Sequence, residues 1–301
     1  MKDYAIGSLA QIEVSARTGI WDAHKGCAAI AGALLLAQQL VKKDAAGAVE
    51  AQVKLQLGTD LNPAPSKEVI SRTVFIKRIL AELKVDARQP KELGHDVIYS
   101  AYVLRALEVF EINPWNSLLE SLTKLVRDVK RSGPGWMTVN GKNESRPMSE
   151  AADNPYGSHW EAFACFDRPL PMEVGDMQLG HLLTHGHAIE MLERYADKAL
   201  MVDLHLAYRK RMQSLRLANL EQRDHSPLPL RPVDPRDKKY WLSANEFGHM
   251  HGHVLKYAYS FLDLKRGGIS EADLCAYGRI VWPDYPIEPP PRLADKTREL
   301  N

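Results

Sequence analysis

Apolar residues recur at helical spacing through most of this chain, while the period-two alternation bounded by hairpin turns that marks strands is almost absent. That pattern restricts the fold to helices burying their apolar stripes against other helices. Val69, Val74, Ile76, Ile79 and Leu80 form one such stripe behind Pro65-Ser66, where Ser66 is a suitable N-cap. Asn113-Pro114 repeats the logic: an N-cap is followed by proline at the first helical position, and Leu118, Leu119, Leu122 and Val126 carry the period. Helical patterns also cover about 23–42, 46–56, 93–111, 176–201, 203–221, 245–265 and 270–279. The expectation is an all-α fold of packed helical hairpins, α/α-toroid-like or a helical bundle, in a single domain over residues 1–301.

Two stretches interrupt the pattern. Residues 132–157 are rich in Gly, Pro, Asn and Ser and predict a long loop or lid. Residues 224–237 predict a proline-rich connection, and 281–301 an extended C-terminal tail. A chain of 301 residues, 45% hydrophobic and 26% charged, can bury roughly 75% of its unfolded surface. It needs neither metal nor disulfide as a staple, so a metal here would be functional.

The 39 basic and 38 acidic side chains cancel, leaving no global field toward nucleic acid or an anionic membrane. The expected partner is a small-molecule substrate, with no nucleic acid, no membrane, and a homo-oligomer left open. Cys27, Cys165 and Cys275 fall outside any CxxC spacing, which points to a reducing setting. The apolar run Cys27 to Ala37 is too short to cross ~30 Å of hydrocarbon, and the first residues lack the charge-then-apolar order of a secretory signal. A cytoplasmic location is expected.

Histidine is the most informative residue type. Of 11 histidines, His181, His185, His187, His249, His251 and His253 fall in two short stretches. Residues four apart share a helix face, so His181/His185 and His249/His253 would each present two imidazoles to one side. Glu246 lies three residues before His249, the Glu-x-x-His spacing by which bundles hold metals through carboxylates. His181, His185, Glu246, His249 and His253 are therefore the expected metal ligands. Tyr257 is a catalytic group extending the same stripe, and His95 a further acid–base candidate. Imidazole suits Zn, Cu, Fe or Ni, and an added carboxylate shifts the balance toward Fe or Mn, so the expected cofactor is an Fe, Mn, Cu or Zn ion, or none.

A second pattern crosses the first. Four apolar segments are headed by histidine, at His24, His95, His185-Gly-His187 and His251-Gly-His253, at intervals that fit about two helical hairpins each. If each heads a helix, the positive end of the dipole keeps the ring neutral and usable as a base, and Tyr99, Tyr102, Tyr257 and Tyr259 follow one turn on. Gly186 and Gly252 sit beside these motifs and could start the helices at HGH, which would undo the i,i+4 pairing.

Trp160 with Trp136 could form an aromatic lid, although ordinary packing explains Trp160 as well. Arg209-Lys210-Arg211 reads as a solvated face, and Asp96 as a first-turn helix acid. P-loop, dinucleotide, zincin and α/β-hydrolase motifs are absent. The expected function is a metal-dependent enzyme, an oxidoreductase or oxygenase acting on a small organic molecule. The alternatives are a metal-free His/Tyr lyase, isomerase or cyclase, and a non-catalytic helical scaffold.

Overall fold

The computed structural model describes residues 1–18, 20–58, 68–89, 91–129, 158–166, 177–221, 232–244 and 252–281. Among them run twelve α-helices and no strand. They are α1 (Lys2–Thr18), α2 (Ile20–Ala37), α3 (Ala46–Leu57), α4 (Arg72–Lys84), α5 (His95–Val109), α6 (Asn116–Asp128), α7 (His159–Ala164), α8 (Met177–Leu192), α9 (Lys198–Glu221), α10 (Lys238–Ala244), α11 (His253–Leu264) and α12 (Glu271–Val281). The fold is all-α, and the helices pack as one domain. The predicted loop at 132–157 and the tail beyond 281 lie outside the described residues, as do Ser66 and most of 224–237.

Several helix boundaries differ from the periodicity, for local reasons. α4 starts at Arg72 with Ser71 as its cap, accepting from the Val74 N–H at 3.4 Å. The expected start at Asn113-Pro114 moves to Asn116, because Trp115 is extended in an isolated bridge to Val69. The Ile70 N–H donates to the Pro114 carbonyl at 2.9 Å and the Asn116 N–H to the Glu68 carbonyl at 3.0 Å, so the chain before α6 is pinned straight. The pattern read as one helix over 176–201 is broken: α8 ends at Leu192, and the Asp197 carboxylate caps α9 by accepting from the Leu200 N–H at 2.8 Å.

Four helices form the centre. α2 packs on α5, α5 on α8, α8 on α11 and α11 back on α2, which closes a ring. Their sequences explain this placement. Between Ala23 and Leu35, α2 buries Cys27, Ala28, Ala29, Ile30, Ala31, Ala33, Leu34 and Leu35 completely, and a helix apolar all round must be surrounded by protein. α6, by contrast, buries Leu118, Leu122 and Val126 and turns Lys124, Arg127 and Asp128 outward, as an outer-layer helix should.

The central helices come in two matched pairs. His24 and His95, on α2 and α5, are 71 residues apart, and His181 and His253, on α8 and α11, are 72 apart. α5 and α11 each begin with histidine directly after a left-handed glycine, Gly94 (φ 77, ψ 21) or Gly252 (φ 76, ψ 10). Even the packing of these glycines corresponds. Gly94 lies against His185, four residues after His181, and Gly252 against Ala28, four residues after His24. Six helices, α1–α6, thus precede a second set, α7–α12, that repeats the placement of the central pair.

A side chain at Gly252 would need a strained φ and would collide with Ala28. Gly252→Ala should cost about 2–4 kcal/mol, the left-handed penalty added to overpacking. Gly47 is exposed in α3 with open space around it, and Gly47→Ala should gain up to about 1 kcal/mol. Urea unfolding of the two variants against the parent checks both signs.

Candidate metal centre

Where the four central helices meet, His24, His95, His181 and His253 form a closed ring of imidazoles. Successive ring centroids lie 4.5 Å apart for His24–His95, 4.9 Å for His95–His181, 4.8 Å for His181–His253 and 4.9 Å for His253–His24. Every member is at most 3% exposed. His24, His95 and His181 can each point one nitrogen so that all three lie within 4.8 Å of one another, close enough to hold a metal ion. Nε2 of His253 is 3.3 Å from Nε2 of His181, and Nε2 of His24 is 2.7 Å from Nε2 of His95.

Each pair carries a tyrosine one turn on. Tyr99 stacks on His95 at 5.3 Å and meets His24 edge-on at 5.9 Å. Tyr257 lies 5.5 Å from His253 and meets His181 edge-on at 6.3 Å. Gly180, just before His181, is what lets the Tyr257 ring come so near the α8 backbone, since a Cβ there would fall inside the ring. One residue breaks the correspondence. Lys256 is wholly buried and brings Nζ to 2.6 Å from Nδ1 of His24, whereas the matching position on α5 is Ile98.

Burial dominates the electrostatics. It holds the imidazoles of His24 and His95 well below the ordinary histidine range, with the Lys256 charge acting in the same direction. His181 is lowered in the same way by burial and then by His253 and His95. The Lys256 amine itself falls to about 7 through loss of solvation. These three rings are therefore neutral at neutral pH, the form in which imidazole binds metal.

His95, His181, His253 and Tyr257, four of the residues picked out by spacing, thus meet at one place. His185 does not join the ring: it faces Tyr208 at 5.5 Å and packs over Gly94. Glu246 and His249 lie outside the described residues. α8 runs unbroken through Gly186, which packs against His159, whereas α11 does begin after Gly252. His24 and Lys256 complete the cluster without belonging to the spacing motifs. The interval from His24 to His95 was the signal for the first, and a lysine in the otherwise apolar stretch of α11 the signal for the second.

His187 serves another purpose. Its Nε2 is 2.9 Å from an Asp263 carboxylate oxygen, its Nδ1 is 3.0 Å from Ser260 Oγ, and Ser260 is 3.1 Å from the Tyr102 hydroxyl. The order Asp–His–Ser matches a hydrolytic triad, but Ser260 is 0% exposed and shared with Tyr102, so the network ties α8 to α11. Asp96 does stand in the first turn of α5, as read; it is also buried 3.5 Å from Lys91, and burial raises its carboxyl. Arg211, read as part of a solvated face, is 4% exposed and donates to the Leu93 carbonyl at 2.5 Å, meeting the backbone just before α5. Trp160 is buried, donates to Asp273 at 2.6 Å and packs on Phe261, as a core residue does.

No family model, curated protein or solved structure matches this chain.

Burial alone would raise the Asp263 carboxyl, but hydrogen bonds from His187 and Arg266 prevail and depress it below the ordinary range. A depressed carboxyl contributes stability above its unfolded value of ~3.9 and loses it as pH falls toward the folded value. Asp263→Asn should therefore cost about 1–3 kcal/mol at pH 7, with the gap to the parent narrowing below pH 4, in urea titrations at several pH values.

Proposed function

We propose that the chain is a metal-dependent enzyme, an oxidoreductase or oxygenase acting on a small organic molecule. In this reading His24, His95 and His181 hold one transition-metal ion, and three protein ligands leave a coordination position open for water, substrate or dioxygen. The observation that carries the proposal is three buried, neutral imidazoles whose nitrogens lie within 4.8 Å of one another. Ligands that are all imidazole favour Fe, Cu or Zn over Mn.

The surroundings support chemistry over simple packing. Imidazoles in a core without ligation are poorer than aliphatic residues, because each carries polar nitrogens to be satisfied, and His95 Nδ1 has no hydrogen-bond partner among the described residues. Such an ion supplies Lewis acidity, a lowered pKa for bound water, or a place for dioxygen. Lys256, lowered to about 7 by burial, can as the neutral amine accept from His24 Nδ1–H, the tautomer that leaves Nε2 unprotonated and directed at the other rings. Tyr99 and Tyr257, whose rings pack against the imidazoles, would serve as proton donors.

The short contacts Lys256–His24 at 2.6 Å and His24–His95 at 2.7 Å also favour a second reading, a metal-free acid–base relay. Elemental analysis of untagged protein purified without chelator separates the two. Near one Fe, Cu or Zn per chain is expected, lost in His24→Ala, His95→Ala and His181→Ala and kept in His185→Ala, with the helical circular dichroism retained. No bound metal after incubation with each ion would overturn the metal reading and leave the relay.

A further inference from the structure

Among the described residues, three that are not glycine stand in the left-handed region: Gln39 (φ 54), Leu93 (φ 56) and Glu111 (φ 51). Two of them close helices. After Gln39 the Leu40 N–H donates to the Leu35 carbonyl at 3.0 Å, and after Glu111 the Ile112 N–H donates to the Leu107 carbonyl at 3.1 Å, the bond that ends a helix through a left-handed residue. Leu93 has no such explanation, because it precedes α5. It stands third in a turn that the Gly94 N–H closes on the Lys91 carbonyl at 2.9 Å, a left-handed place that ordinarily takes glycine or asparagine. Gly94 (φ 77) follows in the same region, and His95 comes next.

A leucine held left-handed is strained, and such strain persists only where the surroundings impose it. The imposing group comes from α9. Arg211, 4% exposed, donates Nη1 to the Leu93 carbonyl at 2.5 Å, a charged hydrogen bond in a buried place. The start of the turn is tied separately, since Lys91 Nζ lies 3.2 Å from the Val126 carbonyl on α6 and 3.5 Å from the Asp96 carboxylate. Gly94 is confined as well, because a Cβ there would fall 2.5 Å from the His185 ring. With Lys91 anchored and Gly94 confined, Leu93 is where the strain can relax, and relaxation there turns the first residue of α5, His95.

We infer that Arg211 is a positioning residue of the histidine centre: its hydrogen bond to the Leu93 carbonyl keeps Leu93 left-handed and thereby sets the His95 ring among the other imidazoles. As a determinant of metal affinity this rests on the metal reading, but the placement of His95 does not require the ion. The direction of the effect separates position from charge. After burial and the Lys256 charge, the Arg211 charge lowers His95, so the guanidinium by itself opposes a cation at the ring. Removing it would tighten metal binding if charge prevailed, and weakens binding if position prevails.

Zn²⁺ affinity, measured by competition with a chromophoric chelator, tests this on the parent, Arg211→Met, Leu93→Gly and the double variant. Arg211→Met should keep its helical circular dichroism and bind about 10–100-fold more weakly, the usual effect of losing a group that orients a ligand. Leu93→Gly should stay within about threefold of the parent and should restore that affinity in the double variant, since glycine holds a left-handed φ unaided. Equal or tighter binding by Arg211→Met would overturn the inference, as would a loss that Leu93→Gly does not rescue, the result expected if Arg211 only packs α9. If the parent takes up no ion, the metal reading falls and the ring contact decides. On histidine-labelled, metal-free protein the nuclear Overhauser contact between the His24 and His95 rings, whose centroids are 4.5 Å apart, should be lost in Arg211→Met and regained in the double variant. Its persistence in Arg211→Met would likewise overturn the inference. Should Arg211→Met fail to fold, Arg211→Lys, which keeps the charge but loses the guanidinium fork, serves in the same comparisons.

Discussion

Four imidazoles and a lysine amine occupy the point where α2, α5, α8 and α11 converge, a position that helical packing alone would fill with leucine. The rest of the structure is arranged around that fact. Each polar ring brings a desolvation cost, and the surrounding helices offset it by burying long apolar runs such as Cys27–Leu35 on α2. Two left-handed glycines bring the first residues of α5 and α11 to the centre, and Gly180 clears space for Tyr257. The same burial keeps the rings neutral.

The matching of His24, His95 and Tyr99 with His181, His253 and Tyr257 gives the centre two nearly equivalent faces. Where they differ, each difference is chemical. Lys256 stands opposite Ile98 in this correspondence, so only the His24 side has a hydrogen-bonding amine behind it. His185 stands opposite Ala28, so the glycine beside His95 packs on an imidazole that faces Tyr208, where the glycine beside His253 packs on a methyl group. One face thus has its ring orientation fixed from within, and the other is backed by the buried rings of His185 and Tyr208.

Much of this architecture was legible in the residue pattern. Helical periodicity located most of the helices, and the histidine-headed segments pointed to residues that converge. Boundaries failed where a long-range contact overrode local preference: Asn113-Pro114 has good capping chemistry, yet the Val69–Trp115 bridge holds it extended. The i,i+4 rule places His181 and His185 on one side of α8, but it does not say that His185 will pack on Gly94 and face Tyr208 while His181 meets the other imidazoles. His24 was legible from its interval to His95, but its pairing with Lys256 was not, because no local spacing reveals a contact completed by the far end of the chain.

That distance bears on how the molecule assembles. The contact between His24 and Lys256 joins residues 232 positions apart, and the ring of four cannot exist until both six-helix sets are in place. Contacts of such long sequence separation are slow to form, because loop closure must precede any reward from packing. The centre is therefore a late product of folding, and a ligand that engages all four rings would act as a clasp between the first and last thirds of the polypeptide.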